Sequence, residues 1–157
     1  MFFFKLFSVI KFIIKHPLNK HRALQSLINF VSWQLFSRFI SRKKKFEWVD
    51  DSILVAYRGE SAITGNFYTG LLDLNDMGFL LHFLDQSDVF VDVGANSGVY
   101  TVLASKVVGS RSVSIEPIKR SLNRIQEHLE INNIKGLVDL HNCGIGKEEG
   151  ELFFTKN

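Results

Sequence analysis

The 157-residue chain has a single cysteine, Cys143, and only two prolines. A lone thiol excludes an internal disulfide and any four-thiolate metal site, which suits a reducing compartment, so the cytoplasm is the expected location. His16, His21, His82, His128 and His141 lack metal-ligand spacing. They read as surface or packing groups, and no metal is expected. Charge of one sign is also scarce: nineteen Lys and Arg against sixteen Asp and Glu leave +3 and a pI near 9.0. That excess is too small to point to a nucleic-acid partner, and none is expected. No repeat or low-complexity tract is present. Hydrophobic residues at 46% and aromatics at 13% exclude a disordered tail, and the length suits one ordinary core.

No apolar run is long enough to span a bilayer. The first fourteen residues are apolar except Lys5, Ser8 and Lys11. As a helix, Phe2 to Ile14 covers about 20 Å, short of the roughly 30 Å hydrocarbon core. His16-Pro17-Leu18-Asn19-Lys20 offers no small-residue cleavage site for a secretory signal. Two readings stay open. Residues 1–20 lie peripherally on an anionic membrane, at its inner face, or they form a helix burying Phe2, Phe3, Leu6, Phe7 and Ile10 against their own domain.

A second helix is expected from His21 to Ile40, with Leu24, Leu27, Ile28, Val31, Leu35 and Phe39 as its apolar stripe. Arg42-Lys43-Lys44-Lys45 has two readings, a contact for phosphates or anionic lipid headgroups and a solvated linker; the second is preferred, so residues 1–45 form an amphipathic helical extension ending in a basic linker. Residues 46–87 form a lead-in: an extended stretch from Phe46 to Tyr57 around an Asp50-Asp51 turn, loops at Thr64-Gly65-Asn66 and Gly70, and a helix within Leu71 to Leu84. Residues 88–157 alternate strand and helix, the signature of a parallel α/β sheet. Val89 to Val93 is a strand apolar enough to be covered on both faces. Ser112 to Glu116 and Leu137 to Asn142 are the next two, and residues 151–155 are a fourth, in a hairpin. Helices fall at Val99 to Val108 and along the stripe Ile118, Leu122, Ile125 and Leu129.

Asp92-Val93-Gly94-Ala95-Asn96-Ser97-Gly98 occupies the carboxyl end of the first of these strands and the start of a helix, where open parallel sheets bind ligands. Gly94 and Gly98 permit a tight turn and close approach to the backbone, and amides at a helix start favour anionic groups. Glu116 closes the next strand, where a carboxylate can accept both hydroxyl hydrogens of a ribose. A pyrophosphate-binding turn wants glycine where Asn96 stands, so the spacing favours a nucleoside cofactor without a pyrophosphate.

The order D-x-G-x-x-x-G, then a strand-ending Glu, resembles the first two motifs of class I S-adenosylmethionine-dependent methyltransferases. More narrowly, Phe90 to Thr101, Glu116-Pro117, Asn142 and Gly144-Ile145-Gly146 look like the FkbM family, over a stretch from about Gly59 to the end. The resemblance implies a Rossmann-like parallel sheet, incomplete here, with its first three strands plus a hairpin strand, preceded by amino-terminal helices. It implies S-adenosylmethionine as cofactor and a methyl acceptor that is a small molecule or glycan, often a sugar hydroxyl. Asp92, Gly94, Asn96 and Gly98 would line the methionine and ribose side, Glu116 would hold the ribose hydroxyls, and Asn142 with Cys143 would lie beside the adenine. Thr64-Gly65-Asn66 matches an element that covers the pocket in relatives with a similar extension. No catalytic base is assigned. The acidic segment after a fourth parallel strand has no counterpart here, so the chain is expected to be the amino-terminal part of a longer enzyme and its own activity doubtful. An NAD-dependent oxidoreductase half-domain, a non-catalytic nucleoside-binding module and a membrane-surface protein stand as alternatives.

Overall fold

The computed structural model describes residues 2–148, 150 and 151, with side chains from Leu6 onward. The chain divides into two units, Met1–Gly78 and Phe79–Asn157.

In the first unit, helix α1 (Phe2–Lys15) and helix α2 (Ala23–Phe39) are followed by the antiparallel strands β1 (Lys43–Glu47) and β2 (Ile53–Tyr57), then helix α3 (Ser61–Thr69). Helix α4 (Leu74–Phe83) runs across the division between the units. Asp50 and Asp51 make the hairpin turn with φ of 41° and 61°, a left-handed conformation that acidic side chains tolerate. Leu54, Val55, Ile63, Trp33 and Ile13 form the core. Asn19, fully buried, ties it together. Its Nδ2 donates to the Ile13 carbonyl at 2.8 Å and the Tyr68 carbonyl at 3.2 Å, while its Oδ1 accepts from Ser26 at 2.9 Å and Arg22 at 3.3 Å.

Four expectations change here. The apolar stripe of α2 does not face the core: Leu24 and Phe39 are 74% and 79% exposed, and Ser26, Phe30, Trp33 and Ser37 are buried instead. That face carries large aromatics, Phe30 packing edge-on against Tyr68 at 5.2 Å, and small serines that let neighbours approach. The basic run is not a linker, because Lys43 to Lys45 form β1, with the Lys44 ammonium over the Phe67 ring at 4.3 Å. Thr64-Gly65-Asn66 is helical, within α3. A Cβ at Gly65 would fall 2.6 Å from Leu72, and Asn66 Oδ1 accepts the Leu72 amide at 2.8 Å, so the segment is fixed by tertiary packing that no local pattern announces. On α1 the fully buried residue is Ile13, and Phe7 is 66% exposed, which removes it from the packed face expected of that helix. The side chains of Phe2 and Phe3 lie outside the described residues. Among the described residues, no helix is long and apolar enough to cross a membrane.

The second unit is a parallel three-stranded sheet in the order β3 (Val89–Val93), β4 (Arg111–Ile115), β5 (Val138–His141). Between β3 and β4 lies helix α5 (Val99–Val102), continued by a π-helical turn over Leu103–Val108; helix α6 (Lys119–Ile131) joins β4 to β5. All three strands fall within a residue or two of the places that sequence gives them. The stripe on α6 is also as expected, with Leu122, Ile125 and Leu129 buried, although Ile118 sits at the cap and is exposed. β3 differs in one respect: Val89, Val91 and Val93 are 55–59% exposed, so it is covered on one face only. Residues 152–157, most of the expected hairpin strand, lie outside the described residues, and Glu151 is in no strand.

Replacing Asn19 by Ala leaves the Ile13 and Tyr68 carbonyls and the Ser26 hydroxyl without their partner. The expected loss is about 2–4 kcal/mol of unfolding free energy, read by urea denaturation of the full chain; an unchanged midpoint would show that this hub is energetically idle.

Candidate functional site

The tips of β3 and β4 converge through backbone and carboxylate. After Val93 the chain reverses at Gly94, whose φ of 76° is closed to most side chains, and the amides of Gly94 and Ala95 both donate to the Ile115 carbonyl, at 2.9 and 3.1 Å. Asn96 is left-handed too, with φ of 52°, and its amide donates to Glu116 Oε2 at 2.8 Å. Glu116 Oε1 accepts the Ile118 amide at 2.9 Å, at the start of α6. A buried carboxylate thus accepts an amide from each of two loops. Asn142 Nδ2 donates to the carbonyls of Glu116 and Pro117 at 2.9 and 3.0 Å, which brings the end of β5 to the same place.

The two glycines do different things. Gly94 is exposed, and a Cβ there would meet nothing within 4 Å, so a ligand can approach its backbone freely. Gly98 is buried and caps α5 with φ of 75°; a Cβ there would lie 3.2 Å from the Ile125 side chain. Its smallness serves the packing of α6 under the turn. His128, fully buried on α6, completes that support, its Nδ1–H donating to the Ser97 carbonyl at 2.8 Å.

Asp92 occupies the other side of the site, half-buried at the end of β3. Its Oδ2 accepts from the Thr101 hydroxyl at 2.6 Å, and Thr101 in turn meets the Ser114 hydroxyl at 2.7 Å. One turn further along, Ser105 meets Ser112 at 2.7 Å. Four residues of helix rise about 6 Å and two residues of strand about 6.6 Å, so hydroxyls spaced i, i+4 on one element and i, i+2 on the other pair one to one. Burial holds the Asp92 carboxyl above its ordinary value; the Thr101 hydrogen bonds oppose this in part, and the nearby Glu116 charge adds to it.

The six residues expected to bind a cofactor therefore fall into distinct environments. Gly94, Asn96 and Asn142 are exposed at one rim, Asp92 is half-buried beside them, Glu116 is buried between the loops, and Gly98 faces α6. Cys143 is exposed and, with Pro117, Asn142 and Gly144, lines an open cleft of about 560 Å³ next to Glu116. Thr101 and Ser114 are given no role by the sequence, and His128 reads only as a surface or packing group. The hydroxyl spacings Thr101/Ser105 and Ser112/Ser114 were the available signal, and nothing local marks His128. Among the described residues, no group of three His, Cys, Asp or Glu side chains is placed to hold a metal. The arrangement suits a polar ligand that presents hydroxyls to carboxylates and comes close to the Gly94 backbone.

No family model and no curated protein matches the chain. Solved structures do. A protein of Pyrococcus horikoshii assigned as a transferase, PH0793, aligns with a TM-score of 0.54 at 8% identity, over 76% of this chain and 48% of its own. The SAM-dependent methyltransferase of Agrobacterium tumefaciens gives 0.49 at 10% identity, over 66% and 33%. SMU.1697c of Streptococcus mutans, assigned as a methyltransferase and solved with SAH, gives 0.41 at 27% identity, over 45% and 39%. The first likeness shows a shared, partial Rossmann-like α/β fold; the other two TM-scores are too low to add to it. The chain spans about half or less of the length of these solved chains.

The elevated Asp92 carboxyl has a signed consequence. Below its ordinary value of 3.8, folded and unfolded chains both hold the proton and the group costs nothing. As pH rises through the higher native value, ionising it in the fold withdraws stability. Asp92→Asn keeps an acceptor for Thr101 and removes the charge, so its stability relative to the parent should increase between about pH 3 and about pH 7 in urea melts. A difference that shrinks over that range would reverse the assignment.

Proposed function

We propose that the second unit binds S-adenosylmethionine and serves methyl transfer of the FkbM type, to a sugar or glycan hydroxyl. The observation that carries this is the Asn96 amide on Glu116: it makes two neighbouring strand tips one site, with the exposed Gly94 backbone at its mouth. In this reading Glu116 presents its remaining lone pairs to the ribose hydroxyls, since each carboxylate oxygen accepts a backbone amide and can take a second donor. Asp92, Gly94 and Asn96 border the methionine and ribose side, Gly98 shapes the turn from behind, and Asn142 with Cys143 borders the adenine. When bound, the cofactor supplies a methyl group activated by its sulfonium. The chain's own contribution is to orient the ligand and exclude water along the Gly94 turn. A base for the acceptor hydroxyl is not assigned. Residues 1–20 add a peripheral membrane contact, supported by Phe7, Phe12 and Ile14, all exposed on a helix that also carries Lys11 and Lys15.

Calorimetry with S-adenosylhomocysteine tests the cofactor. The parent chain should bind, and Glu116→Gln, which loses the charge and keeps one acceptor oxygen for the amides of Asn96 and Ile118, should bind about tenfold more weakly. Binding of NADH without S-adenosylhomocysteine, or equal affinity for parent and variant, would overturn the reading. Labelled methyl transfer to glycans against RNA tests the acceptor, and label entering RNA alone would replace the sugar assignment.

A further inference from the structure

The stripe left outside on α2 combines with an uneven distribution of charge. Residues 1–46 hold ten Lys and Arg and no Asp or Glu, whereas residues 47–157 hold nine and sixteen. The chain's net +3 is thus a segment of +10 joined to one of −7. On α2, inside the cationic segment, Leu24, Ile28, Val31, Leu35 and Phe39 recur at intervals of three and four and are 48–79% exposed. They lie on the face opposite the buried Phe30 and Trp33, so they form one continuous apolar strip along a helix of 17 residues. The chain leaves this helix through Arg38 and Ile40, itself 76% exposed, into the basic run Arg42 to Lys45, whose Arg42, Lys43 and Lys45 are exposed.

We infer that the outer face of α2, with the basic run that follows it, is a docking surface for an anionic lipid bilayer. An apolar strip of this length with cations at its end and no acid in its segment matches a bilayer interface, where side chains enter the acyl boundary and Lys and Arg meet headgroup phosphates. Nucleic acid would use the cations and leave five large apolar side chains in water, which makes lipid the better fit. The inference deepens the membrane-contact reading of residues 1–20 by naming a second surface, and separate substitutions keep the two apart.

The test is flotation of the full chain with vesicles of phosphatidylglycerol and phosphatidylcholine in equal parts, against phosphatidylcholine alone. The parent should bind the anionic vesicles at least about tenfold better, and raised salt should weaken that binding. Leu24→Ser combined with Leu35→Ser should reduce binding about tenfold or more while circular dichroism and the melting midpoint stay as in the parent, both positions being exposed. If that pair disturbs folding, Ile28→Ser with Val31→Ser replaces it. Phe7→Ser reports on the α1 contact: a loss there with none from either α2 pair would overturn this inference and leave the first reading standing. It is equally overturned if the parent ignores anionic vesicles.

Discussion

The buried carboxylate of Glu116 is the constraint on which the site depends. It stands one residue past β4 and accepts the amides of Asn96 and Ile118, one from the turn after β3 and one from the start of α6. Charge-assisted bonds of this kind contribute about 1.5–3 kcal/mol each, and a buried donor left without its acceptor costs a comparable amount. The glycine turn therefore has two anchors on β4, the Ile115 carbonyl and the Glu116 side chain. Asn142 adds a third connection by holding the Glu116 and Pro117 carbonyls from the end of β5. Three strand tips are tied at a single acidic residue.

Beside this lies a second layer, built of paired hydroxyls. Thr101 and Ser105 on α5 and its π-helical continuation pair with Ser114 and Ser112 on β4, and the upper pair ends on Asp92. Buried hydroxyls are costly when unpaired and modestly favourable when paired, so the ladder fixes the height of α5 over the sheet more than it adds stability. His128 does the same for the far side of the turn through the Ser97 carbonyl. The orientation of Asp92 follows from the ladder.

Much of the second unit was legible in the sequence because its signals are local. A short apolar run marks β3, Val113 and Ile115 alternating with serines mark β4, Gly94 and Gly98 mark the reversal, and the Leu122–Ile125–Leu129 spacing marks the buried side of α6. The first unit was read less well, for a physical reason. On α2, hydropathy favours Leu24, Ile28, Val31 and Leu35, but the face that packs is decided by partners outside the helix: Tyr68, distant in sequence, against Phe30, and Asn19 against Ser26. Lys43 to Lys45 lie in a strand because their partners in β2, Val55 to Tyr57, offer an apolar ladder. Gly65 and Asn66 are helical because Leu72 closes on them. In the site, the acids and the glycines were visible as residue types, whereas their division of labour was not: Ile125 beneath Gly98 shows that this glycine packs against the fold, while the space at Gly94 is open.

The alternation of β3 separates the site from the surface that remains open. Val89, Val91 and Val93 share one face and are more than half exposed, whereas Asp92 points to the other, where Thr101 receives it. The register repeats this across the sheet, Asp92 standing opposite Ser114 in β4, so the acid-bearing side is lined by partners that the chain itself supplies. Side chains of adjacent residues in a strand lie on opposite faces, so an element meeting the three valines would touch neither the Asp92 carboxyl nor its hydroxyl ladder. The geometry at the strand tips is therefore set by α5, β4 and Glu116, and the valine face takes no part in it.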